Sequence, residues 1–216
     1  MSSKDLENKR IQLVHYLKKS DAINSALIEK AFLKVKRELF MPSNLIEYAY
    51  SDNAFPIGFN QTISQPYTIA VMLGLLNARE GMKVLEVGSG SGYVCALLSE
   101  IVGPKGKVYG IELVEGLFEQ AKENLKLQGC NNAELFFGDG TKGLSERMPF
   151  ERILVSAACG FVPEPLIEQL SEGGRIVAPV GDHWSQQLQL AEKTEGKISK
   201  SFPLPGYFVF VPLKRT

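Results

Sequence analysis

Histidine, cysteine and tryptophan are scarce in this chain of 216 residues, and the first two shortages close off whole classes of chemistry. Only His15 and His183 are present, neither in a ligand cluster of the HExxH kind, so no resident metal is expected. The cysteines, Cys95, Cys130 and Cys159, are odd in number, far apart and without CxxC spacing. Neither a disulfide framework nor a zinc site follows from them, and they read as reduced, mostly buried thiols. An excess of charge of one sign is also lacking: 24 Lys plus Arg balance 24 Asp plus Glu, which argues against nucleic acid as a partner. No apolar run approaches the roughly 20 residues of a spanning helix, and residues 1–10 are polar, with no signal-peptide core. A soluble cytoplasmic protein without membrane association is expected.

What is present suits a globular protein. Hydrophobic residues make up 44% of a chain long enough to bury a substantial core. One domain over 1–216 is expected, with residues 1–80 a helical extension and substrate loop and 81–216 an α/β core. Apolar positions recur at helical spacing over 6–17 and 25–40, and Asp21 and Asn24 can start the second segment. Between 41 and 65 the pattern fails, punctuated by Pro42, Asn44, Asn53, Pro56, Gly58 and Asn60, over a length that exceeds a simple connection. Ser64 followed by Pro66 reads as the start of a helix reaching about Leu76, where the serine hydroxyl can cap.

Strands and helices then alternate. The pattern predicts strands at 83–87, 107–111, 133–137, 152–156 and 175–179, with helices at 92–102, 115–127 and 165–170. Past His183 the helices cease, and 186–190 and 208–213 read as strands pairing antiparallel at a sheet edge. The expected fold is a Rossmann-like, doubly wound, mostly parallel seven-stranded sheet with an N-terminal helical extension and an antiparallel C-terminal edge. Trp184 is expected to pack into the C-terminal sheet.

Three features at successive strand ends carry the chemistry. Val84-Leu85-Glu86-Val87-Gly88-Ser89-Gly90-Ser91-Gly92-Tyr93 sets a glycine-rich turn between strand and helix, where backbone can approach a ligand closely. Alone, that turn also fits a nucleotide dehydrogenase or a tight structural bend. Glu112 ends the next strand about 20 residues on, where a ribose would present its hydroxyls, although a solvated residue opening a helix is the plainer reading. Phe136-Phe137-Gly138-Asp139-Gly140 puts an acidic side chain at the third strand end, suited to an adenine amino group or to an ordinary turn.

In this order the set resembles class I S-adenosylmethionine-dependent methyltransferases, whose glycines run GxGxG rather than the GxGxxG usual in dehydrogenases. After the fourth strand, Val155-Ser156-Ala157-Ala158-Cys159 has neither the proline-aromatic motif of base N-methyltransferases nor the carboxylates of magnesium-dependent catechol types. The loop from Tyr50 to Pro66, above all Thr62-Ile63-Ser64, resembles protein-L-isoaspartate O-methyltransferases. The likeness continues through Gly138-Asp139-Gly140, 169–175, Pro179-Val180-Gly181 and Phe210-Val211-Pro212-Leu213.

That resemblance implies S-adenosyl-L-methionine as cofactor and isoaspartyl-containing peptides and proteins as substrates. It implies Ser64 as the active-site serine and Ile57, Gln61 and Val162 on the substrate side. Thr62, Ile63, Glu86, Gly88, Ser89, Gly90, Gly92, Tyr93, Glu112, Leu113, Gly138, Asp139 and Gly140 would hold the cofactor. Glu151 departs from the family's usual Asp, and Cys159-Gly160-Phe161 replaces a variable acceptor-side stretch. A small-molecule O-methyltransferase on the same scaffold and a cofactor-binding adaptor are the rival readings. A monomer is expected.

Overall fold

The computed structural model describes residues 2–182, 184–203 and 206–215. The chain opens with α1 (Ser3–Lys19), whose start is closed by a reciprocal capping box between Ser2 and Asp5, and α2 (Ala26–Lys34), capped by Ser25. Helix α2 is shorter than its apolar pattern predicts. Val35 turns extended, and Arg37–Phe40 continues as a 3-10 turn. The segment from 41 to 65 is ordered by a small antiparallel hairpin, β1 (Phe55–Gly58) with β2 (Gln61–Ile63).

Helix α3 (Pro66–Leu76) follows, then the alternating units β3 (Lys83–Val87), α4 (Tyr93–Val102), β4 (Lys107–Glu112), α5 (Glu115–Gln128) and β5 (Ala133–Phe137). After these come β6 (Phe150–Val155), α6 (Glu164–Glu168), β7 (Leu170–Gly181), β8 (Gln186–Thr194) and β9 (Lys197–Pro203). Strand β7 begins where the pattern predicts the end of a helix. Gly173, at φ 70°, lets the chain bulge there, and the β6–β7 register shifts between Phe150 and Arg152.

The seven-stranded sheet runs β5-β4-β3-β6-β7-β8-β9, parallel from β5 through β7 and antiparallel beyond, as expected. The edge strand is β9, not the predicted 208–213. That segment has a strand's β-branched and aromatic residues but changes partner, bridging Gln186 through Phe208 and Ala158 through Pro212. Trp184 does not pack as expected: it is 80% exposed. His183 lies outside the described residues.

The sheet separates two apolar layers. Val84, Val108, Leu154 and Val177 face one, together with buried residues of α1, α2, α3 and α4. Leu85, Val87, Ile153 and Ile176 face the other. The N-terminal helices thus share a core with the α/β unit. Because β3 has β4 on one side and β6 on the other, consecutive crossovers diverge at its carboxyl end, and open sheets of this kind bind ligands in that crevice. No described helix is long and apolar enough to cross a membrane, and no cluster of metal-ligating side chains occurs among the described residues.

Candidate active site

The crevice above β3 is built by glycines. Gly88, Gly90 and Gly92 all have positive φ, a backbone few side-chain-bearing residues adopt. Their turn is tied down by amide hydrogen bonds from Gly88 and Ser89 to the Ile111 carbonyl, at 2.9 and 3.0 Å. Glu112 completes it. One carboxylate oxygen accepts from the Gly90 amide at 2.7 Å and the other from Val114 at 2.9 Å. Glu112 is 7% exposed, so the plainer reading of a solvated helix-opening residue does not hold.

Two compartments share this turn as a wall. The first is lined by Gln61, Thr62, Gly88, Gly90, Glu112, Leu113 and Gly140 among the residues singled out from sequence. The second is lined by Thr62, Ile63, Ser64, Glu86, Gly88, Ser89, Gly90 and Tyr93. Five of the sequence candidates stand outside both. Ile57 is buried behind the turn, its Cδ1 3.3 Å from where a Cβ on Gly90 would lie. Gly92 caps α4 and packs on Ala121 and Leu125. Gly138 donates its amide to the Glu112 carbonyl at 3.0 Å. Asp139 accepts from the amide and hydroxyl of Thr141, at 2.9 and 2.7 Å, as a turn residue would. Val162 packs against the second apolar layer.

Ser64 is not a helix cap. The N-cap of α3 is Gln65, and its side chain makes no capping bond. Asp52 does that work from the preceding loop, accepting from the Tyr67 amide at 2.8 Å and from Gln65 Nε2 at 3.0 Å. Ser64 is left half-buried with its hydroxyl uncommitted among the described residues, and it faces two ways. It lines the second compartment and also an outer groove formed by Asn53, Ala54, Gln65 and the segment 207–211. Thr62 belongs to both compartments and to this groove.

Behind the second compartment, Arg37 is wholly buried. Its guanidinium lies 5.1 Å from the Tyr93 ring centre, and Nη2 donates to the Asn53 carbonyl at 3.3 Å. Burial lowers the Arg37 pKa and pushes the Tyr93 phenol up to about 12, so Tyr93 stays neutral.

Sequence reasoning missed Ser156. It lines both compartments, and its hydroxyl donates to Glu86 Oε1 at 2.8 Å. The signal was its place at the carboxyl end of β6, the same sheet edge as Gly88 and Glu112. Glu86 itself is 1% exposed with Oε2 unpartnered, an orphaned acceptor in a compartment otherwise lined by apolar and hydroxyl side chains. Beside a glycine cradle, that orphan suits a ligand with a cationic group, as S-adenosylmethionine is.

The family of protein-L-isoaspartate(D-aspartate) O-methyltransferases matches residues 8–216. The protein-L-isoaspartate O-methyltransferase of Methanopyrus kandleri is 46% identical over 206 residues, covering 94% of this chain and 90% of its own. A solved protein-L-isoaspartate O-methyltransferase superposes with a TM-score of 0.84 at 33% identity, covering 94% of this chain, which spans 65% of that longer one. A Plasmodium falciparum structure described as a protein-L-isoaspartate O-methyltransferase, solved with S-adenosyl-L-homocysteine, gives 0.82 at 25% identity, covering 95% and 98% of the two chains. With the match running nearly end to end, the chain belongs to the protein-L-isoaspartate O-methyltransferase family.

Proposed function

We propose that this chain performs its family's reaction at the junction marked by Ser64: methyl transfer from S-adenosyl-L-methionine to the free α-carboxylate of L-isoaspartyl residues in damaged proteins and peptides. The observation that carries this reading is that Ser64 and Thr62 stand between an inner compartment walled by the glycine turn and a groove open to solvent. When bound, the cofactor supplies an electrophilic methyl group on a sulfonium.

The chain's own residues have little acid-base work to do. An α-carboxylate has a reference pKa of about 3.5 and is ionised at neutral pH, so no general base is needed. Ser64 is free to donate a hydrogen bond that orients the acceptor oxygen, because Asp52 relieves it of capping α3. Thr62 and Ile63 separate acceptor from cofactor, and the Glu112-braced turn holds the cofactor. Work as a cytoplasmic monomer belongs to the same reading.

The test is transfer of labelled methyl to matched peptides carrying isoaspartate or normal aspartate, with Ser64→Ala alongside. Expected are base-labile label on the isoaspartyl peptide only, and a Ser64→Ala protein that binds cofactor normally with most turnover lost. Equal labelling of both peptides would overturn the acceptor assignment. Full activity in Ser64→Ala would overturn the role of the serine.

A further inference from the structure

One dipeptide in this chain is chemically fragile. Aspartate or asparagine followed by glycine is the pair most open to succinimide formation, because no Cβ on the second residue shields its amide nitrogen. Asn-Gly does not occur in the chain, and Asp-Gly occurs once, at Asp139-Gly140. That single copy lies at the crevice, where Gly140 lines the first compartment. Packing demands the glycine: a Cβ on it would sit 2.5 Å from Val87 Cγ1. The fold therefore cannot shed this weakness by substituting Gly140 and has to contain it.

Containment is built into the turn. Ring closure needs the Gly140 nitrogen to swing to the side-chain side of Asp139, and needs the carboxyl carbon free to meet it. At ψ 104° the Asp139 backbone points that nitrogen away from Cβ. The 3-10 turn Gly140–Lys142 fixes this setting through a hydrogen bond from the Lys142 amide to the Asp139 carbonyl at 3.1 Å. The carboxylate is held separately. Its Oδ1 accepts from the Thr141 amide at 2.9 Å and from the Thr141 hydroxyl at 2.7 Å, which turns the side chain toward residue 141. Both clasps must open together before the nitrogen can reach Cγ.

We propose that Asp139-Gly140 is a latent site of covalent modification, isomerising to isoaspartate when this turn opens, and that the Thr141 hydroxyl is its guard. In the reaction the Gly140 nitrogen attacks Asp139 Cγ and a C–N bond forms. The protonated carboxyl loses its OH, which leaves with the amide proton as water. Water then adds to the main-chain carbonyl of the succinimide and breaks that carbon's bond to nitrogen. Gly140 is left joined through the former side-chain carboxyl, and Asp139 bears a free α-carboxylate. No electrons are transferred and the composition is unchanged. The main chain gains a methylene at the crevice wall, which displaces Gly140 from Val87, so the modification disables the crevice. That consequence rests on reading the first compartment as part of the cofactor site; the isomerisation itself does not.

The experiment ages the full chain near pH 6 for several weeks as wild type, Thr141→Val and Thr141→Ser, beside the free peptide of residues 127–142. Isoaspartate at 139 is counted from the loss of cleavage by an endoproteinase that cuts before normal aspartate, and is assigned by fragmentation mass spectrometry. The peptide should isomerise readily and wild type slowly. Thr141→Val, nearly the same shape without the hydroxyl, should isomerise about fivefold faster than wild type, the ratio that one hydrogen bond of ordinary net strength gives. Thr141→Ser, which keeps the hydroxyl, should stay near the wild-type rate. Leu17→Ala, which weakens the core in α1, should leave the rate at 139 unchanged.

A wild-type rate equal to that of the peptide would overturn containment by the fold. An unchanged rate in Thr141→Val, or an equal acceleration in Leu17→Ala, would overturn the role of the hydroxyl. The isomerised fraction should bind S-adenosylmethionine more weakly than the unmodified one, and equal affinity would overturn the disabling of the crevice. Binding by neither fraction would remove the cofactor reading and leave the isomerisation and its guard to be judged on the ageing rates.

Discussion

Two carboxylates wall the same crevice, and the protein treats them in opposite ways. At the end of β4, Glu112 has both oxygens engaged by main-chain amides, those of Gly90 and Val114. In the middle of β3, Glu86 has one oxygen held by Ser156 and the other free. Glu112 is a structural element before it is anything else: its bonds tie Gly90, in the turn already anchored to Ile111 through Gly88 and Ser89, to Val114 at the start of α5. Glu86 is buried at a cost that its single bond to Ser156 only partly offsets. A group retained under those terms is the better candidate for a partner that arrives from outside.

The largest effect that sharpens this contrast lies in stability. The Glu86 carboxyl rises from an ordinary 4.5 to about 7 on folding, so the native state holds a proton that the unfolded chain has given up. Stability is therefore full below pH 4.5, is lost as pH rises through the window from 4.5 to 7, and levels off above it. The loss is on the order of 3 kcal/mol as an upper figure. Urea unfolding of wild type and Glu86→Gln at pH 4.5 and 7.5 checks it: the variant should gain on wild type by up to about that amount across the interval. A constant difference would mean that the Glu86 carboxyl titrates alike in the folded and unfolded chain.

Glu112→Ala should break the other half of the comparison. With the Gly90 and Val114 amides freed, the turn loses its tie to the start of α5, and affinity for S-adenosylmethionine is expected to fall by about 1–3 kcal/mol, the usual cost of a lost charge-assisted hydrogen bond. Because the wild-type bonds are already made without ligand, part of that loss should appear as faster amide exchange at Gly90 and Val114 in the free protein. Ligand affinity that falls with exchange unchanged would mean that Glu112 acts on the ligand alone.

The parallel half of the fold was legible because its central strands are buried on both faces and read as short, mostly apolar runs, as β3 and β6 show. The edge was not. The sequence Lys197-Ile198-Ser199-Lys200 has too little apolar alternation to announce β9, whereas 208–213 is an unbroken apolar run rich in Phe and Val yet bridges two different partners. In the site, glycines and strand-end carboxylates could be read because their position relative to a strand defines them. The commitment of each side chain could not. Asp139 turns to Thr141, Asp52 takes over the cap that Ser64 could have made, and Ser156 reaches Glu86 across 70 residues of sequence. The first is the local turn that the sequence also allowed, while the other two are tertiary contacts, set by how the 41–65 loop folds back on α3 and by β6 lying beside β3.

The third side of the crevice is closed by the β1–β2 hairpin, and its tip offers the smallest test. Phe59 and Asn60 both have positive φ, 52° and 57°, as a two-residue hairpin turn of matching twist requires. Phenylalanine is poorly suited to that conformation. Its ring lies against Gly116 at the start of α5, so close that a Cβ there would sit 2.2 Å from Phe59 Cζ. The contact ties the hairpin that carries Gln61 and Thr62 to the helix that follows Glu112. Gly116→Ala should dislodge the ring while improving helix propensity by up to about 1 kcal/mol, leaving overall stability near wild type. Affinity for S-adenosylmethionine should then weaken roughly two- to fivefold, under about 1 kcal/mol. Calorimetry beside a thermal melt separates the two effects. Unchanged affinity in a protein of unchanged stability would show that the hairpin holds its place over the crevice without the Phe59 contact.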